Sequence, residues 1–126
     1  MESDLTEAIE EWHASVNAAD AQRCAAVVGN PTIVLGPRGA GPITPDQFAD
    51  WVKRSGIRLL PRAWHPVSDR LVVVEEDATW PDNHEPTRVA TVFRVAGAKV
   101  TAALRLPDLE SALKLASICR EMAASE

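Results

Sequence analysis

The stretch LVVVEEDATW, residues 71–80, decides the fold because it is a β-strand whose two faces can be assigned from the sequence. Side chains of a strand point alternately to opposite faces of a sheet. One face of this strand consists of Val72, Val74, Glu76, Ala78 and Trp80. That face is mostly apolar, which predicts that it points into the protein and that Glu76 points there with it.

Three further segments extend this strand into a sheet. Residues 57–67, 87–96 and 99–106 are rich in β-branched residues, and short runs of turn residues separate them. The connections are short enough for an antiparallel meander. A separate short strand is predicted at residues 32–35, where β-branched and apolar residues follow Pro31.

Helices are predicted where apolar residues recur at helical spacing. The segments are residues 4–18, residues 21–28, a helix that begins at Pro45 and a helix that follows Asp108. Asp4 with Glu7, and Thr44 with Gln47, have the spacing of an N-terminal capping box. We expect each pair to begin its helix.

The order of these elements predicts an α+β fold in a single domain, residues 1–126. Two helices, a strand and a helix precede four consecutive strands and a C-terminal helix. Long antiparallel strands twist and curve, and helices gathered on one face of such a sheet bury its apolar side. We therefore predict a cone-shaped, curved antiparallel sheet wrapped around the N-terminal helices.

The charge of the chain argues against several classes of partner. The formal net charge is -5, and no run of Lys and Arg opposes it locally, so we predict binding neither to nucleic acid nor to a membrane. The N-terminus is acidic where a signal peptide is basic, which indicates a cytoplasmic location. Cys24 and Cys119 are then expected to be free thiols.

Candidate catalytic residues are acids and a histidine. Glu76 is the first candidate for a general acid or base, and Glu75 replaces it if the strand slips by one residue. His13 lies at the edge of the apolar stripe of the first helix and is a candidate base. In the alternative interpretation both glutamates lie at the solvent-exposed end of the strand or pair with Arg94 or Arg105 on a neighbouring strand. Alternation puts Arg105 on the outward face.

Candidate ligand-binding residues are mainly aromatic. The chain has four Trp, two Phe and no Tyr, and indoles suit either the wall of a pocket for a flat apolar ligand or an ordinary core. The candidates are Trp12, Trp51, Trp64, Trp80, His65 and Arg38, the last in an irregular Gly-Pro-rich loop at residues 36–42. The three histidines are far apart, and no phosphate-binding motif is present, so we expect neither a metal nor a cofactor.

Together with the element order, four local features resemble the nuclear transport factor 2-like superfamily, and its SnoaL-like and ketosteroid isomerase-like bacterial branch in particular. These are Trp12-His13 on the first helix, Asn17-Ala18-Ala19-Asp20 at the helix junction, the Gly-Pro-Arg-Gly loop and Trp80 late in a strand. The resemblance covers nearly the whole chain. It implies a pocket inside the cone, a homodimer, and a function as an enzyme or as a non-catalytic accessory domain.

The activities of this superfamily are only partly matched by the residues. The ketosteroid isomerase pattern needs a Tyr on the first helix and a carboxylate near Leu35, and this chain has neither. An epoxide hydrolase-like site needs an Asp-Arg-Asp set, for which Arg94, Arg105 and Glu75 are of suitable types. Three functions stay open: a pocket protein for a small apolar or aromatic metabolite, a dimerising accessory domain acting through its sheet face, and an isomerase or hydrolase.

Overall fold

The structure is a computed structural model that describes residues 2–36 and 39–124. Its helices are α1 (Glu2–Ala18), α2 (Ala21–Val27), α3 (Pro45–Ser55) and α4 (Leu109–Ala124). Its strands are β1 (Val28–Gly36), β2 (Gly39–Ile43), β3 (Arg58–Pro66), β4 (Leu71–Trp80), β5 (Asn83–Ala96) and β6 (Lys99–Leu106). The α+β cone-like fold is confirmed.

All six strands form one curved, unclosed sheet in the order β2-β1-β6-β5-β4-β3. The meander from β3 to β6 is antiparallel, as predicted. The sheet is nevertheless mixed, because β1 runs parallel to β6. The prediction of an irregular loop is wrong from Gly39 onward, since β2 pairs with β1 from Gly36↔Gly39 to Thr32↔Ile43.

The inner face of the sheet carries the larger core. We use inner face for the side that α1 and α3 cover, where Ile9 and Val52 of these helices lie in one apolar cluster with Val74 and Phe93 of the sheet. All four side chains are fully buried. The alternate residues of β4 that were predicted to face inward do so, because Val72, Val74 and Ala78 belong to this cluster.

The outer face, on the opposite side of the sheet, is covered in part by α4. Ala112 and Ala116 of α4 pack there in a second cluster with Leu71 and Val73 of β4 and Val92 of β5. The sheet thus wraps around the N-terminal helices, as predicted, and carries the C-terminal helix α4 on its other side. The physical reason is that β4 begins with four consecutive apolar residues, which gives the sheet two apolar faces rather than one.

Helix boundaries follow local capping chemistry. Thr44 and Gln47 form the predicted capping box at the start of α3. Gly56 ends that helix in the left-handed conformation, with φ 65. Asp108 accepts a hydrogen bond from the Ser111 backbone N–H at the start of α4. The predicted cap at Asp4 is wrong, because α1 begins at Glu2.

A β-bulge at Thr101 changes which residues of β6 face inward. On β5, Val95 pairs with Val100 and Arg94 pairs with Ala102, so Thr101 has no partner of its own in that ladder. The bulge reverses the alternation that the sequence implied for the rest of β6. Arg105 therefore pairs with Thr91 and faces inward, and the prediction that it faces outward is wrong.

Both cysteines are free, as expected. Cys24 is fully buried in the inner cluster, and burial raises the pKa of its thiol.

Among the residues that the structure describes, no helix combines the length and the apolar character needed to cross a bilayer.

Candidate functional site

A buried pair of ionisable side chains lies between α1 and the sheet. His13 of α1 contacts Glu76 of β4, and its Nε2 atom lies 2.5 Å from Glu76 Oε2. Only 3% of His13 and 0% of Glu76 are exposed. The prediction that Glu76 points inward is confirmed, and it brings together two candidates that lie 63 residues apart in the sequence.

The neighbours of this pair define where its protons lie. His13 Nδ1 is 2.8 Å from the carbonyl oxygen of Ile9, and because a carbonyl only accepts, Nδ1 carries a hydrogen. Thr91 Oγ1 donates to Glu76 Oε1 at 2.5 Å. A single further proton is therefore shared between His13 Nε2 and Glu76 Oε2. The pair is neutral overall wherever that proton lies.

Aromatic rings enclose the imidazole of His13. The Trp12 ring is 5.1 Å from it edge-on, and the Phe93 ring is 5.3 Å away. Trp64 of β3 lies at 6.4 Å. Trp12 also stacks on Phe48 of α3 at 5.8 Å. The result is an apolar, water-poor surrounding, in which hydrogen bonds to the pair are stronger than they are in water.

The indole N–H of Trp12 has no acceptor. Its Nε1 atom is buried and makes no hydrogen bond within residues 2–36 and 39–124. Trp12 as a whole is 4% exposed. A buried donor without an acceptor loses its hydrogen bonds to water and receives nothing in return, which is rare in folded proteins.

Arg105 brings a positive charge to the same face of the sheet. Its guanidinium carbon lies 5.7 Å from the centre of the Trp80 ring, a cation–π arrangement. Burial lowers the pKa of this guanidinium, and the negative charge of Glu76 partly opposes that effect. Positive charge, aromatic surface and the proton-sharing pair thus lie on one face.

Comparison with solved structures assigns this architecture to a known fold. A protein of unknown function from Cytophaga hutchinsonii, described as NTF2-like, matches with a TM-score of 0.73 at 8% identity, over 85% of this chain and 92% of that one. The chain has the nuclear transport factor 2-like fold. No protein-family model matches the sequence, and no curated protein matches it.

Two enzymes share the nuclear transport factor 2-like fold with this chain. An LEH-like epoxide hydrolase from M. tuberculosis matches with a TM-score of 0.69 at 14% identity, over 98% of each chain. The epoxide hydrolase/cyclase-like enzyme SalBIII, of pyran ring formation in the polyether salinomycin, matches with a TM-score of 0.71 at 13% identity. That match covers 83% of this chain and 91% of the other. At such identities the similarity concerns the fold.

Two sequence candidates lie on the outer face of this nuclear transport factor 2-like sheet, away from the pair. His65 Nε2 lies 2.9 Å from Glu75 Oε2, and His65 pairs with Val73, whose side chain packs under α4. His65 therefore lies on the opposite side of the sheet from Trp64 and Trp80, with which it was grouped as a ligand-binding candidate, and the one-residue slip that would turn Glu75 inward does not occur. A bulge at Arg62 in β3 leaves Trp64 inward and His65 outward.

The three residues suggested for an epoxide hydrolase-like site do not lie together either. Arg94 and Glu75 belong to the outer face, where Arg94 pairs with Leu71 and Ala102, whereas Arg105 belongs to the inner face. The alternative in which a glutamate pairs with Arg94 or Arg105 is also wrong, because Glu76 bonds His13 and Glu75 bonds His65.

The remaining aromatic candidates border the inner cluster. Trp51, Trp64 and Trp80 are partly buried and pack against it, and the Trp51 ring stacks near Phe48 at 6.3 Å. Arg38 lies outside the described residues. In the described part of the chain no group of His, Cys, Asp or Glu is arranged to hold a metal ion.

Sequence reasoning missed Thr91 and Arg105 as members of the site. Thr91 was detectable, because alternation along β5 puts this hydroxyl between Val89 and Phe93 on an otherwise apolar face. A lone polar residue on such a face needs a partner. Arg105 had no comparable signal, since its orientation depends on the bulge at Thr101.

Proposed function

We propose that the protein binds a small, planar, apolar molecule between α1 and the inner face of the sheet and transfers a proton to or from it. The observation that carries the proposal is the buried His13–Glu76 pair beside the unpartnered indole N–H of Trp12. A ligand with an acceptor oxygen would satisfy that N–H. Its recovered hydrogen bond would contribute to binding.

The aromatic surroundings favour a flat ligand. Trp12 packs against Phe48 and Phe93 beside His13, and rings of this kind stack well on planar apolar molecules that displace such contacts. Trp64 and Trp80 are only partly buried, so they can rotate to admit a ligand with less loss of packing than the fully buried side chains.

The pair is suited to proton transfer at a carbon next to a carbonyl group. The Glu76 carboxylate takes the proton from that carbon, and the electron pair of the broken C–H bond moves towards the ligand oxygen. Trp12 Nε1–H donates to this oxygen as negative charge develops on it. His13, held by Ile9 at Nδ1, keeps the shared proton at Nε2; its positive charge balances Glu76 before the transfer and the ligand oxygen after it.

Deuterium exchange of methyl naphthyl ketone in D₂O tests both parts of the proposal. We expect the protein to accelerate the exchange of the methyl protons, as followed by ¹H NMR. In a separate titration in H₂O, the ketone should shift the Trp12 indole N–H resonance. Glu76→Gln should slow the exchange by roughly 100-fold or more, because general base catalysis contributes about 10²- to 10⁴-fold. Glu75→Gln is the matched control on the outer face and should leave the rate unchanged.

Three results would each contradict a different part of the proposal. If the ketone neither binds nor shifts the Trp12 resonance, the binding site is wrong. If it binds but the protein does not accelerate exchange, the proton chemistry is wrong. An equal loss of rate in both glutamine variants would show that Glu76 has no special part in it.

A second candidate is a non-catalytic role in which two copies of the chain associate. It is favoured by exposed apolar side chains on α4, where Ile118 is 56% and Met122 63% exposed. Light scattering at micromolar concentration should then give a dimer that Ile118→Glu converts to a monomer. A monomer in the unchanged protein would count against this role.

We also propose that the protein works in the cytoplasm. Cys24 and Cys119 are both free, which suits a compartment in which thiols stay reduced. Fractionation of host cells with an antibody against the protein checks this. Recovery in an extracellular or membrane fraction would contradict it.

A further inference from the structure

Arg105 differs from the arginines that form salt bridges in this protein. Arg23, Arg54, Arg62 and Arg88 each pair with a carboxylate. The Arg105 guanidinium contacts the ring of Trp80, and the described part of the chain gives it neither a hydrogen bond nor an ion pair. The carboxylate that attracts it, Glu76, is already bonded to His13 and Thr91.

A partly desolvated cation without an anionic partner is unfavourable. Burial removes water from the guanidinium, as the lowered pKa of Arg105 also indicates, and within residues 2–36 and 39–124 no carboxylate forms a salt bridge with it in place of that water. The contact with Trp80 occupies the flat face of the group and leaves its N–H edges free. Beside it, Gly36 has no side chain, and an added Cβ there would lie 3.6 Å from Arg105 Nη2.

We propose that the ligand of the inner face is an acid, and that its carboxylate binds the free N–H edge of Arg105 while its ring system lies among the aromatic side chains. This inference rests on the proposed function and names its ligand class. A planar guanidinium matches a carboxylate with two parallel N–H···O bonds. The indole of Trp80 holds the guanidinium plane from one side and thereby orients that edge.

The neutralisation of Glu76 makes an acidic ligand compatible with this face. A second carboxylate beside an unpaired Glu76 would be repelled. Here His13 and Glu76 share one proton, so the pair has no net charge. Among the described residues, Arg105 then brings a positive charge to the site that no salt bridge compensates.

The test compares naphthoate with its neutral counterpart naphthamide, which has almost the same shape. We expect naphthoate to bind the unchanged protein about 10- to 100-fold more tightly by isothermal titration calorimetry, as a charge-assisted pair implies. Arg105→Gln should abolish this preference. Arg94→Gln, which removes the same charge from the outer face, should preserve it.

Each outcome separates this inference from the proposed function. If naphthamide binds as tightly as naphthoate, the proposed binding site stands and the acidic ligand class is wrong. If neither compound binds and methyl naphthyl ketone does not bind either, the proposed function itself fails. If the preference for naphthoate survives Arg105→Gln, or if Arg94→Gln removes it, the ligand carboxylate binds another residue. Either result overturns the inference.

A conservative variant covers the case in which Arg105→Gln does not fold. Arg105→Lys keeps the positive charge and loses the planar pair of N–H donors. We expect it to reduce the preference for naphthoate by roughly tenfold while circular dichroism stays unchanged. An unchanged preference in a folded Arg105→Lys protein would overturn the bidentate geometry proposed here.

Discussion

At the scale of single residues, His13 and Glu76 depend on each other for their burial, because they are hydrogen-bonded to one another. Glu76 is fully buried, and a carboxylate in such a place is tolerated because His13 and Thr91 satisfy its oxygens. The pair also joins α1 to the sheet. Its part in stability can therefore be measured separately from any part in binding.

The first prediction is a double-mutant cycle on this pair. His13→Phe leaves Glu76 without its main partner and should destabilise the protein by about 3–5 kcal/mol. The double variant with Glu76→Leu should recover part of that loss, since no buried acid then stays unpaired. Free energies of unfolding from urea titrations give the coupling. Additive effects, with no recovery in the double variant, would contradict a mutual dependence.

The second prediction concerns Gly56 at the end of α3. Its φ is 65, and an added Cβ would lie 2.6 Å from Pro81 Cγ. Gly56→Ala should cost more than the ~1–2 kcal/mol of left-handed strain alone, because Pro81 must also move. Gly97→Ala is the matched control, since its φ is 58 and an added Cβ meets nothing within 4 Å. Equal losses in urea titrations would show that the contact with Pro81 has no effect.

At the scale of elements, one carboxylate connects three strands on the outer face. Asp77 of β4 accepts hydrogen bonds from Arg88 of β5 at 2.7 Å and from Arg62 of β3 at 2.6 Å. Arg88 first, and then Arg62, hold the pKa of Asp77 below its ordinary 3.8. The ionised form is therefore favoured in the folded protein over the unfolded chain.

The third prediction follows from the sign of that shift. A carboxylate whose folded pKa is lowered stabilises the fold fully above its unfolded pKa, and the contribution is lost as pH falls through the folded pKa. The difference in stability between the unchanged protein and Asp77→Asn should thus be constant near neutral pH and shrink below about pH 3.8. Urea titrations across pH 2–7 measure this difference in stability. When both proteins also carry Arg88→Gln, roughly half of the difference should persist, because Arg62 remains. A difference that grows on acidification would contradict the assignment.

Helices and strands were predictable from the sequence where local signals agreed. The face of the sheet to which a side chain points was predictable only where the strand stays regular. The alternation in residues 71–80 correctly turned Glu76 inward, and the Thr44 capping box correctly began α3. Arg105 was misassigned because a bulge inserts one residue and leaves no mark in the residue types. The contact between His13 and Glu76 was also out of reach, since it depends on where α1 packs across the sheet.

At the scale of the whole molecule, two apolar clusters share one sheet. The inner cluster involves α1, α2, α3 and the sheet, whereas the outer cluster rests mainly on α4. Several members of the outer cluster, among them Leu113 and Leu115, are only partly buried. Since local stability follows buried apolar contact, α4 should open more easily than the centre of the sheet.

The fourth prediction tests that order of opening by native-state hydrogen exchange. Val74 is fully buried in the inner cluster, and Val74→Ala should remove about 2 kcal/mol of stability. The free energy of exchange of the Phe93 amide should fall by that amount, because this amide exchanges through global unfolding. The Ala116 amide of α4 should keep its exchange rate, because α4 opens while the inner cluster stays folded. If the Ala116 amide instead loses the same free energy as Phe93, α4 opens only with the whole protein, and the two clusters form one cooperative unit.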